Sequence, residues 1–144
     1  MKKQIVYIII LILSLFVIVG CGLEKINNNS NERINSVKIL IDSKEYIINL
    51  EDNETTKAFI ALLPQEFNMS ELNGNEKYIY LDNDLPTKST NYKHISAGDV
   101  MLYGSNCLVI FYKSFDTSYS YTKIGHIDNL PTLGNGNIRV KIEK

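Results

Sequence analysis

Hydrophobic and polar positions divide the chain into three stretches with different rhythms. Between residues 5 and 19 nearly every position is apolar, with Lys2 and Lys3 ahead of the run and Gly20 behind it. Residues 22–36 are polar and asparagine-rich, with no sustained period, and read as a flexible tether. From Val37 onward short apolar and alternating runs are separated by Asp, Asn, Gly and Pro, the pattern of strands and turns. The boundaries that follow are a leader at 1–20, a tether at 21–36 and one folded domain at 37–144. A domain of that size buries about two thirds of the surface of its extended chain.

Within the domain, 37–41 and 45–50 are rich in Ile, Val, Leu and Tyr and form a hairpin around Asp42-Ser43-Lys44. Residues 55–63 turn helical. Phe59, Leu62 and Leu63 fall at i, i+3 and i+4, Asp52 or Asn53 is the capping residue, and Pro64 stops the run. A strand at 65–69, a turn at 71–75 and a strand at 76–81 come next. In the latter, Tyr78 and Tyr80 face one side while Ile79 and Leu81 face the other. Residues 82–98 contain Pro86 and many polar side chains and read as a long surface loop. The clearest hairpin joins 100–103 to 107–112 through Gly104-Ser105-Asn106. Strands at 121–127 and 137–142 complete the set. About eight strands with one or two short helices predict a mainly β domain, a small closed barrel or a sandwich, with the helix over an open end.

The charged start, apolar core and small residue before Cys21 are the three regions of a secretory signal peptide. The apolar run is shorter than the ~20 residues of a spanning helix, which sets cleavage above the alternative of a retained anchor. Ile18-Val19-Gly20-Cys21 resembles the lipobox of bacterial lipoproteins. That resemblance implies a diacylglyceryl group on the Cys21 thiol and removal of residues 1–20. Two acyl chains, at roughly 0.8 kcal/mol per buried CH₂, hold a protein stably where one does not. The expected location is the extracytoplasmic face of the cell membrane, with the domain on the order of 20 Å away on its tether.

Charge narrows the partners. The full chain carries a net charge of −1, and loss of Lys2 and Lys3 takes it to −3. No basic patch remains for nucleic acid. With Cys21 lipidated, Cys107 has no disulfide partner and reads as a small buried apolar residue. His94 and His126 are 32 residues apart, with no Cys, His or Asp cluster at metal-ligand spacing, and read as surface histidines. Asp99 reads as a turn residue, and Gly134-Asn135-Gly136-Asn137 as a turn lacking the lysine and helix of a phosphate loop. No motif calls for a cofactor.

Leu62-Leu63-Pro64, Glu76-Lys77, Gly98-Asp99-Val100 with Tyr103, Phe111-Tyr112, and Ile124-Gly125 with Ile127 occur in the order and spacing of the bacterial cyclophilin-like family, which the domain resembles. The resemblance implies a cyclophilin-type β-barrel. In true cyclophilins an arginine beside an apolar pocket isomerises X-Pro bonds, and divergent prolyl isomerisation of exported proteins is one implied activity. This chain departs from that pattern. After the leader its arginines are Arg33, in the tether, and Arg139, in the last strand, and Lys77-Tyr78-Ile79-Tyr80 stands where the catalytic signature belongs. Lysine lacks the planar fork of arginine. A non-catalytic module that binds a peptide or small ligand is therefore the leading expectation.

Tyrosine is the remaining compositional signal. Tyr78, Tyr80, Tyr103, Tyr112, Tyr119 and Tyr121 gather in the second half of the domain. Tyrosine offers a large amphipathic contact area at low entropic cost. The groove predicted from these positions comprises Tyr80, Tyr103, Phe111 and Tyr112, with Phe67 and Met69 as apolar lining. The competing reading is that the rings merely fill a barrel wall.

Overall fold

The structure, a computed structural model, describes residues 33–144. Cys21 and the leader lie outside the described residues. Among the described residues, ten strands and one helix follow in chain order. They are β1 (Ser36–Ile41), β2 (Lys44–Leu50), α1 (Glu54–Ala61), β3 (Gln65–Leu72), β4 (Glu76–Tyr80), β5 (His94–Ile95), β6 (Asp99–Tyr103), β7 (Cys107–Phe111), β8 (Phe115–Asp116), β9 (Thr122–Ile127) and β10 (Ile138–Glu143). Eight of the strands close into an antiparallel barrel in the order β1-β10-β3-β4-β7-β6-β9-β2, and β5 pairs with β8 as a separate two-stranded sheet. The predicted closed barrel is the observed one.

Closure follows from where each strand is buried. In β10, Ile138, Val140 and Ile142 are buried and alternate with Arg139 and Lys141, so one face looks inward. The interior cluster joins these to Val37, Ile39 and Ile41 of β1, Met69 of β3, and Leu108 and Ile110 of β7. Strands β6 and β7 are different, since every residue of β7 is buried. A second cluster, with Ile95, Met101, Val109, Phe111 and Tyr121, lies on the outer side of these two strands. The β5–β8 sheet supplies its cover, with Ile95 opposite Phe115. Residues 82–98, expected to be all loop, thus include a two-residue strand whose pairing is non-local.

Two glycines allow adjacent strands to approach. A Cβ on Gly125 of β9 would lie 2.4 Å from the Asn49 carbonyl oxygen of β2. Gly98 has φ of +99°, and a Cβ there would lie 2.2 Å from the Ile127 carbonyl oxygen. Helix α1 is tied to the same region. Asn53 Oδ1 accepts from the Thr56 N–H at 2.8 Å and Asn53 Nδ2 donates to the Lys123 carbonyl at 2.8 Å. Thr56 Oγ1 donates to the Ile124 carbonyl at 3.2 Å. The capping residue is Asn53, one of the two expected.

Candidate functional site

Strand parity builds a cleft on the outer wall of the barrel. Registration places Tyr80 of β4 opposite Cys107 of β7, and Cys107 opposite Tyr103 of β6. Across that row a small residue lies between two large ones, so the wall dips at Cys107 and Val109 while the tyrosines form lips. Tyr80 is 64% exposed and Tyr103 46%. The segment before β9 closes the far side, where Tyr103 meets Tyr119 edge-on with centroids 6.0 Å apart and Tyr121 at 5.6 Å. Tyr121 in turn packs edge-on against Phe111 at 5.4 Å. The enclosed volume is about 480 Å³, inside the range of small-molecule sites, roughly 300–1,000 Å³.

One acidic group lies in this aromatic surface. Glu76 opens β4 and shares the outward face of Tyr78 and Tyr80, two and four residues on. It lines the cleft and is 9% exposed. Burial, followed by the nearby Glu71 charge, pushes its carboxyl up to about 7. Burial also raises the Cys107 thiol and the Tyr121 hydroxyl, each helped by the Glu76 charge.

Two other polar clusters belong to the scaffold. Lys77, next along β4, points into the barrel and is completely buried. It pairs with Glu71, donates to the carbonyls of Gly134 and Gly136 at 2.6 Å each, and lies 5.3 Å from the centre of the Tyr112 ring. Burial opposes ionisation of Glu71, but bonds from Lys77 and Tyr112 outweigh it and hold the carboxyl below its ordinary range. Tyr112, which donates to Glu71 at 2.8 Å, is pushed up to about 12 by burial and by that bond. Asp99 closes a turn, as expected, its N–H donating to the Ser96 carbonyl at 3.0 Å, and it has further partners. It is buried, accepts from the Ser96 N–H at 2.9 Å, and meets His126 Nδ1 at 2.9 Å and Lys123 Nζ at 3.0 Å. These bonds prevail over burial and lower its carboxyl, locking β6 to β9 beside a register shift at Val100 and Met101.

The six residues expected to share a groove are divided among three places. Tyr80 and Tyr103 line the cleft. Phe111 faces outward but is wholly buried in the second cluster, behind the cleft. Phe67, Met69 and Tyr112 face the barrel interior, Phe67 half-buried and the other two buried. The physical reason is parity. Phe111 and Tyr112 are consecutive on an extended chain and point to opposite faces, so one groove does not hold both. Glu76 was missed as a cleft residue, although its i, i+2, i+4 spacing with Tyr78 and Tyr80 carries the signal.

Comparison with known proteins gives the fold a wider setting. A model described as the cyclophilin-like family matches residues 39–143. The solution structure of a hypothetical protein from Archaeoglobus fulgidus superposes with a TM-score of 0.53 at 20% identity, covering 78% of this chain and 98% of that one. At that identity the likeness speaks to fold alone. No curated protein matches.

Proposed function

The chain belongs to the cyclophilin-like family, and from that premise we propose that it is an extracytoplasmic lipoprotein, anchored through Cys21, whose barrel binds a peptide or small ligand without chemical turnover. The observation that carries the reading is the tyrosine-lipped cleft of about 480 Å³ on the outer wall. Its concavity follows from strand register, it is lined by five tyrosines, and three of these, Tyr80, Tyr103 and Tyr119, expose wide ring surface. Such a surface gains contact area on binding while losing little side-chain freedom.

Isomerisation by the cyclophilin route needs an arginine beside the substrate, and the cleft is lined by none. Arg33 pairs with Asp52 at 2.7 Å. Arg139 projects from β10 into solvent, with Glu66 3.5 Å from its Nε. Neither belongs to the cleft wall.

A panel of short peptides and small molecules, screened by NMR against the full chain in detergent micelles, tests the reading. Binders are expected to shift resonances of Tyr80, Tyr103 and Tyr119. Tyr80→Ala and Tyr103→Ala are expected to weaken them about tenfold each, the effect of losing an aromatic contact worth ~1.4 kcal/mol. Binding that maps elsewhere, or that survives both substitutions, refutes the cleft. Acceleration of X-Pro exchange in a protease-coupled assay refutes the absence of turnover.

A further inference from the structure

The cleft is chemically one-sided. Its charged side chains are Glu76 and Asp116, and no Lys, Arg or His lines it. Asp116 already has a partner, with its Oδ1 2.7 Å from His94 Nδ1. Glu76 has none: its carboxyl receives no hydrogen bond or ion pair among the described residues, although nine-tenths of the residue is buried. Beside it, the buried Asn75 Oδ1 also meets no donor. The other charged group that reaches Glu76 is Glu71, from β3, and it adds repulsion.

An unpaired carboxylate in such a place is costly, because burial strips much of its water and no protein donor replaces it. The surrounding rings do not replace it either. Tyr78 and Tyr80 come from its own strand, Tyr103 from β6, and Tyr119 and Tyr121 from the segment leading into β9. Their faces carry partial negative charge and attract cations. An acceptor without a donor and five electron-rich rings therefore call for the same complement.

Building on the binding-module reading, we propose that this cleft takes an organic cation, a protonated primary amine whose ammonium pairs with Glu76 while its hydrocarbon part lies against the tyrosines. Anions are excluded by Glu76 and Asp116 together. Neutral donors can hydrogen-bond the carboxyl but leave its charge uncompensated, which makes them the weaker occupants. The same chemistry is presented by a free alkylamine and by a lysine side chain of a peptide.

Protonation of Glu76 gives the site a pH dependence of definite sign. With its carboxyl at about 7, roughly one molecule in ten is ionised at pH 6 and nine in ten at pH 8, while an alkylamine near 10 stays charged throughout. Cation affinity therefore rises about tenfold from pH 6 to pH 8. Cys107 from β7 and Tyr121 feel the same charge but sit above this range.

The test titrates the full chain in detergent micelles, by NMR, with n-butylammonium and Nα-acetyl-lysine amide as cations and N-butylacetamide as the neutral control. Both cations are expected to bind saturably at the tyrosines, about tenfold more tightly at pH 8 than at pH 6. Glu76→Gln, which keeps the shape, should weaken them at least tenfold and abolish the pH dependence. Tyr103→Leu, at an exposed lip, should weaken them without altering it. Stronger binding of one cation identifies the free amine or the lysine side chain as the better occupant. The proposal is overturned if neither cation binds, if Glu76→Gln binds them equally well, or if the neutral control matches them. Peptides or neutral molecules bound at the tyrosines while both cations fail would remove the cation and leave the binding module standing.

Discussion

At the scale of single residues, the two consecutive positions Glu76 and Lys77 face opposite sides of one strand and have opposite fortunes. Lys77 is buried with a full set of partners, so its truncation leaves two carbonyls unmatched and takes the counter-charge from Glu71, which keeps only its Tyr112 and backbone bonds. Lys77→Ala should cost about 3–5 kcal/mol in urea denaturation, whereas Lys77→Met combined with Glu71→Gln should recover most of the loss. Glu76 works the other way. A carboxyl raised to about 7 in the folded state favours folding when protonated. Its contribution is fully present below the ordinary value near 4.5 and is lost as pH climbs through 7. Stability should therefore fall between pH 5 and pH 8, and Glu76→Gln should flatten that fall; an unchanged slope would contradict it. Alternation along 76–80 made the outward placement of Glu76 legible in the sequence. The burial of Lys77 was not, because its carbonyl partners lie 57 and 59 residues away.

At the scale of elements, local chemistry was legible wherever partners are neighbours in sequence. The β1–β2 and β6–β7 hairpins follow from apolar runs around short polar turns, and α1 follows from its spacing and cap. Asn53 does more than cap, since the same amide holds α1 to β9 through the Lys123 carbonyl. Asn53→Ala should cost up to ~2 kcal/mol, the upper end of the range for caps, measured as a lower urea midpoint with unchanged slope. Closely packed strands give a second case. Gly125→Ala places a methyl group against β2 and should cost about 1–3 kcal/mol. The β5–β8 pair was illegible for the opposite reason: two short segments of mixed composition gain their structure from covering Met101 and Phe111, which no local pattern encodes.

At the scale of the whole molecule, the barrel was legible as a count of strands, but their order was not. Only the folded arrangement puts β10 between β1 and β3. The proposed anchor belongs to this scale too. Cys21→Ser removes the thiol proposed to take the lipid, and the protein should then leave the membrane fraction for the soluble one. Retention in the membrane would speak for an uncleaved leader helix. The β1–β10 pairing, which joins Lys38 to Glu143 and Ile41 to Val140, also has a temporal consequence. Under the export proposed above, a chain threaded from its amino end delivers β1 well before β10, the strand that seals it. Until β10 arrives, β1 and β3 each present an open edge, and unpaired edges invite association with other chains. Under the proposed export the ring is completed only once β10 has followed β1, so transit has to outpace aggregation of these edges.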